Sequence, residues 1–194
     1  MSLTLDPRTT ALVLIDLQNG TLKLPLSPYS GARVVEQAAA LGRHFEQTGS
    51  LIVRVRVGFS ADSADRLALP VDVPSPTPSG GMPPGFSELV PEIAALRAAV
   101  DITKRQWGAF HGTELDLQLR RRGIQTIVLC GIATNMGVES TAREAWQYSY
   151  AVVAAEDACT SLGEEAHRFS MEKIMPRISR VRKTAEIIAG METR

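Results

Sequence analysis

Six short apolar runs punctuate this 194-residue chain, and the longer stretches between them carry a helical period. The runs are TALVLIDLQ near residues 10–17, LIVRVRV at 51–57, VDITKR near 100–105, TIVLCGI at 126–132, AVVAAEDA at 151–158 and SRVRK near 179–183. Runs this short, rich in valine and isoleucine, read as strands buried on both faces, and their alternation with helices produces a parallel sheet covered on each side. The expected fold is therefore α/β: a three-layer α/β/α sandwich around a six-stranded, mostly parallel, doubly wound sheet. A chain of this length buries a real core within one domain, taken here as residues 1–194.

The crossovers differ in character. SGARVVEQAAALGRHFEQTG places Val34, Val35, Ala38, Leu41 and Phe45 on one helical face, and Gly49 supplies the stop. HGTELDLQLRRRGI gives a helix with Leu115, Leu117 and Leu119 among its apolar residues, a stop at Gly123 and three arginines in the last turn, where cations favour the dipole. MGVESTAREAWQYSY sets Val138, Ala142, Ala145 and Ser149 on a narrow face of small residues that suits close packing on a sheet. EEAHRFSMEKIMPRI and TAEIIAGME supply the last two helices. Residues 58–91, with six prolines between Pro70 and Pro84, resist regular structure and read as a surface loop, either variable filler or a pocket wall or subunit contact.

Charge and cysteine usage exclude several classes. Lys plus Arg and Asp plus Glu balance at 21 each, so no global field draws the chain to nucleic acid or anionic lipid. The N-terminal segment has no basic leader, and its apolar stretch Ala11–Ile15 is far too short to cross a membrane. Cys130 and Cys159 lack a CxxC partner spacing, which fits a reduced, cytoplasmic protein without a cysteine-type zinc site.

In an open parallel sheet, ligands bind beyond the carboxyl ends of the strands, so polar residues that terminate apolar runs carry the functional question. Asp16 ends the first run, Lys104 ends VDITK, and Thr134-Asn135-Met136-Gly137 follows the fourth. Each alone reads as a structural cap or ion pair. Together they place an acid and a base beside a helix N-terminus, whose unpaired N–H groups favour an anion.

The segments LVLIDLQN, ITKRQWGAFHGTELD and IVLCGIATNMGVESTAREA resemble the three signature blocks of the isochorismatase-like hydrolase superfamily, in matching order and over essentially the whole chain. In its cysteine hydrolases an aspartate, a lysine and a cysteine form the triad. Asp16 and Lys104 fall on the first two positions, and Gly137 stands where the cysteine belongs. True isochorismatases also carry glycine there, because a vinyl ether cleaves once its double bond is protonated and needs no nucleophile. The resemblance thus implies Asp16 as general acid, Lys104 as its orienting or charge-stabilising partner, and Gly137 as the residue that leaves room. Burial raises an aspartate's pKa and a neighbouring ammonium lowers it, a contest the sequence leaves open. Two other readings stand beside this one: an amidase using a substitute nucleophile such as Cys130, and a catalytically silent protein of the same fold that binds a small molecule or serves as an oligomeric scaffold.

By the same resemblance, Trp107 and Phe110 are candidates for an aromatic pocket wall, with core packing as the alternative. Thr134 and Asn135 either cap the helix or donate to the ligand, and Gln18 either contacts substrate or supports Asp16. Arg56 and Arg105, with Arg54 and Arg66 behind them, are the cations available for a substrate carboxylate. No cofactor is expected. No metal is expected either, because Asp62 and Asp65 have no histidine companion. Of the three histidines, His44 and His167 read as exposed helix residues and His111 as a solvated loop residue. Two further expectations rest on the resemblance alone: a non-proline cis peptide at Ile132–Ala133, aiming N–H groups at the ligand, and assembly as a homodimer or higher homo-oligomer.

Overall fold

The computed structural model describes residues 3–74 and 81–191. In chain order the elements are β1 (Thr10–Ile15), α1 (Asn19–Leu22), α2 (Gly31–Thr48), β2 (Leu51–Val57), α3 (Pro91–Ala94), β3 (Val100–Lys104), α4 (Leu115–Arg121) and β4 (Thr126–Ile132). A wide π turn, Thr134–Val138, then opens directly into α5 (Glu139–Gln147). After it come β5 (Ala151–Thr160), α6 (Glu164–Phe169), a second π turn at Ser170–Ile174, α7 (Met175–Ile178), β6 (Arg180–Arg182) and α8 (Thr184–Gly190).

The strands lie in the order β3-β2-β1-β4-β5-β6, and every pairing is parallel. All six residues of β1 are buried, as are residues 127–132 of β4, which is why these two runs are continuously apolar rather than alternating. The chain winds outward from β1 to β3, then returns to lay β4 against the other side of β1. That reversal leaves a crevice at the carboxyl ends of β1 and β4, the position where open α/β sheets bind ligands.

Local chemistry explains the main helices. Ser30 caps α2 by accepting a hydrogen bond from the Arg33 N–H, and Gly49 ends it in the left-handed region at φ 67°. Leu41 and Phe45 on its inner face are fully buried, each worth about 1.5–3 kcal/mol of apolar transfer.

In α4, Leu115 and Leu119 face inward, one turn apart, and Leu117 is exposed. Two expectations need correction. The helix after β4 stops at Gln147, so Ser149 lies past its end, at φ 67°, rather than on the small-residue face. The segment 164–178 is broken by the second π turn instead of forming one regular helix. Of the proline-rich stretch, residues 75–80 lie outside the described residues, and the described part from 58 to 90 forms turns and bends without helix or paired strand apart from the isolated Gln18–Leu89 bridge. Among the described residues, no helix is long and apolar enough to cross a membrane.

Candidate active site

β1 gives way at Asp16, which adopts φ 52°, a left-handed conformation that costs a non-glycine residue energy and marks a constrained position. The Asp16 N–H is held by the Val55 carbonyl of β2 at 2.9 Å. Its carboxylate Oδ2 accepts a 2.7 Å hydrogen bond from Lys104 Nζ, delivered from the end of β3. Both side chains are enclosed, at 7% and 2% exposure. Lys104 Nζ donates a second bond to the Gln106 carbonyl at 3.1 Å, whereas Asp16 Oδ1 is buried without a hydrogen-bond partner.

Gly137 faces this pair across the crevice. A Cβ at residue 137 would stand 3.3 Å from Asp16 Oδ2 and 3.1 Å from Ile15 Cγ2. The approach of β4 to β1 depends on a second glycine: Gly131 has φ 127°, and a Cβ there would lie 2.0 Å from the Ile15 carbonyl oxygen. The Ile132–Ala133 peptide that follows is cis.

Electrostatics at Asp16 are decided by burial. Desolvation raises its pKa from 3.8 to about 6, outweighing the opposing charge and hydrogen bond of Lys104. Oδ2 accepts from the Lys104 ammonium, and the Val57 N–H also favours the charged form, yet burial keeps the carboxyl protonated to a higher pH than an exposed aspartate.

The loop after Lys104 is fastened to α5. The Ala109 N–H donates to Thr141 Oγ1 at 3.1 Å, and that hydroxyl donates to the Gly137 carbonyl at 2.6 Å. The Phe110 N–H donates to Glu144 Oε2 at 3.2 Å, with the same carboxylate pressed against Gly108, where a Cβ would be only 2.2 Å away. Thr141 and Glu144 escaped the sequence reading because neither breaks a periodic pattern.

The remaining candidates divide. Gln18 is fully buried and its amide is committed: Nε2 donates to the Val57 and Phe86 carbonyls, both at 3.0 Å, and Oε1 accepts from the Val57 N–H at 2.9 Å. It supports the turn after Asp16 and has no amide atom left over for a substrate. Arg56 pairs with Thr103 in the sheet register and Val57 with Lys104; since neighbouring residues alternate faces, Arg56 lies on the opposite face from Lys104, bonded to Thr103 Oγ1 at 3.2 Å. Arg54 forms a two-pronged pair with Asp101 at 2.8 Å, and Arg105 pairs with Asp65. Arg66 lies over the Phe59 ring. Phe110 is core, buried against Tyr148 and Tyr150, and Trp107 is 56% exposed, so neither forms an enclosed wall beside Asp16. Asn135 is half-buried and accepts from the Ser161 hydroxyl; Thr134 is buried, its Oγ1 2.8 Å from His167 Nδ1.

His167 is therefore 3% exposed rather than a surface residue, and His44 is half-buried. His167 Nε2 lies 3.4 Å from Glu156 Oε1, which also accepts from Tyr29 OH at 2.9 Å, while Lys183 binds the second oxygen of Glu156. A carboxylate interrupting the apolar run of β5 was the one sequence signal for this cluster.

Neither thiol is available for attack: Cys130 and Cys159 are buried, and burial pushes both well above the ordinary thiol range. Among the described residues, no three His, Cys, Asp or Glu side chains are grouped to hold a metal ion.

The turn after β1 reads Asp16-Leu17-Gln18-Asn19-Gly20 and does not carry the glycine pattern of a dinucleotide-binding turn. The chain belongs to the isochorismatase family: the Isochorismatase domain model matches residues 10–186. It is 50% identical over 97% of its length, and the whole of the relative, to the uncharacterized isochorismatase family protein YecD of Escherichia coli O157:H7. It is 47% identical to YwoC of Bacillus subtilis strain 168, covering 96% of both chains. The structure of an isochorismatase family protein from Burkholderia thailandensis superimposes with a TM-score of 0.91 at 43% identity, covering 98% of each chain.

Proposed function

We propose that this protein hydrolyses a small molecule by general acid catalysis at Asp16, cleaving a vinyl ether or related bond without a covalent thioester intermediate. The observation that carries the reading is the enclosed Asp16 carboxyl, one oxygen on Lys104 and the other unpartnered, with burial dominating its ionisation. Protonation of the vinyl carbon by the Asp16 carboxyl breaks the π bond and leaves an oxocarbenium ion. Water adds to that cation and gives up a proton, and the resulting hemiketal collapses to a ketone and an alcohol; the net change is addition of one water. Lys104 holds Oδ2 throughout, and Gly137 leaves space where a thiol would stand. Asn135 and Trp107 are the substrate-contact candidates that keep a half-buried or exposed position near this opening. The reading extends to a cytoplasmic homo-oligomer.

The test is pyruvate release from isochorismate, run beside ammonia release from small amides. Pyruvate formation is expected; ammonia alone, or neither product, overturns the reading. Because the carboxyl keeps its proton up to about pH 6, kcat is expected to fall as pH rises above about 6, roughly tenfold per unit, in a pH–rate profile. A rate that climbs from pH 6 to 8 would assign Asp16 as a base instead.

Gly137→Cys tests the slot directly. The new Cβ needs Ile15 to yield by a few tenths of an ångström, after which the thiol lies beside the Asp16 carboxylate. Iodoacetamide is expected to modify this variant once, by intact mass, and to leave the folded parent unmodified and fully active because its two thiols are buried.

A further inference from the structure

The helix opening at Thr134–Val138 is held from behind by a chain of buried groups that the reaction does not use. Thr134 Oγ1 lies 2.8 Å from His167 Nδ1, His167 Nε2 faces Glu156 at 3.4 Å, and Glu156 is bound by Tyr29 and Lys183. Tyr29 also meets the imidazole edge-on at 5.7 Å between ring centres. Hydroxyl, imidazole and carboxylate stand in the order of a hydrolase triad, but Thr134 is fully enclosed, so no substrate carbonyl reaches its oxygen.

The direction of the hydrogen bonds follows from the far end. Burial favours the neutral form of Glu156, but bonds from His167, Lys183 and Tyr29 outweigh it and hold the carboxyl at a pKa of about 2, so it is ionised and accepts only. His167 must then donate through Nε2. In the neutral ring Nδ1 is left as an acceptor, and the Thr134 hydroxyl donates to it.

We propose that His167 is a positioning residue for the Asp16 site: with Nε2 facing Glu156 and Nδ1 on Thr134, its imidazole fixes the Thr134 hydroxyl and with it the helix opening that sets Gly137 opposite the acid. The proposal rests on the hydrolase reading for its kinetic consequence only.

The 194-residue chain, labelled with ¹⁵N-histidine, contains three imidazoles to assign. Long-range ¹H–¹⁵N spectra at pH 8 are expected to show His167 protonated at Nε2 and bare at Nδ1; the opposite tautomer overturns the proposal. His167→Asn, which returns an acceptor near Nδ1, is expected to keep the backbone amide shifts of Thr134–Val138 and the parent kcat. His167→Leu is expected to move those amides and lower kcat on isochorismate by about ten- to a hundredfold, with KM changed less than about threefold. If the leucine variant fails to fold, Glu156→Gln serves in its place: a carboxamide there can donate to Nε2, turning the ring to its Nδ1–H form and lowering kcat in the same way. Unmoved amides, or a lowered melting temperature with unchanged kcat, reduce His167 to a packing residue. Should the parent protein leave isochorismate intact, the hydrolase reading falls, and the tautomer and amide shifts still decide the positioning role.

Discussion

Asp16→Asn is expected to abolish turnover, by on the order of 10²–10⁴-fold, the usual contribution of a positioned general acid. Asparagine matches the shape of aspartic acid, and its carbonyl oxygen can still accept from Lys104 at the 2.7 Å position. What it cannot do is hand over a carboxylic proton. The substitution also strips a buried lysine of its counter-charge, and breaking such a pair costs about 3–5 kcal/mol. Stability and chemistry are separated by the double variant Asp16→Asn/Lys104→Met, in which neither charge is left alone. Its melting temperature is expected to recover toward the parent value while pyruvate release stays absent. Residual turnover within tenfold of the parent in a folded Asp16→Asn protein would show that the proton comes from elsewhere.

Gly131→Ala is expected to have the largest effect on the fold. Its φ of 127° lies in a region that side-chain-bearing residues avoid, and the added methyl would meet the Ile15 carbonyl oxygen at 2.0 Å and the Ile15 carbonyl carbon at 2.8 Å. Both are backbone atoms of the adjacent strand, so no side chain can swing aside. β1 and β4 have to separate at the switch point, at a cost of about 3 kcal/mol or more in urea denaturation. Gly123 is the control: it is also left-handed, at φ 67°, but nothing lies within 4 Å of its would-be Cβ, so Gly123→Ala is expected to cost only about 1–2 kcal/mol. Equal midpoints for the two variants would show that strand spacing is not set at Gly131. Because Ile15 precedes Asp16, the separation also displaces the acid.

The strands were legible because a doubly covered sheet demands uninterrupted apolar runs, and the polar residue that ends each run stands out against that background. Asp16 and Lys104 were singled out in this way, and the structure pairs their side chains. Side chains whose fate is settled by tertiary neighbours were not legible. Phe110 looked as suited to a pocket as to the core, and only the positions of Tyr148 and Tyr150 decide for the core. Gln18 sits two residues from the acid, yet its amide is consumed by the ends of β2 and the Phe86 segment. Arg56 was judged by proximity to a strand end, whereas the register turns it to the other face. His167 lies between a half-buried Ala166 and an exposed Arg168 on a short charged helix, and nothing local reveals that Glu156 and Thr134 close over it.

The fastening of residues 108–110 to Thr141 and Glu144 has a mechanical corollary. Residues 109 and 110, just past the lysine that ends β3, are hydrogen-bonded to α5, and Thr141 carries the connection on to the Gly137 carbonyl. Glu144, two turns down the helix from Gly137, is thereby an anchor of the loop that follows Lys104. A side chain two turns away thus shares in setting the spacing between the glycine turn and the loop that leaves the lysine.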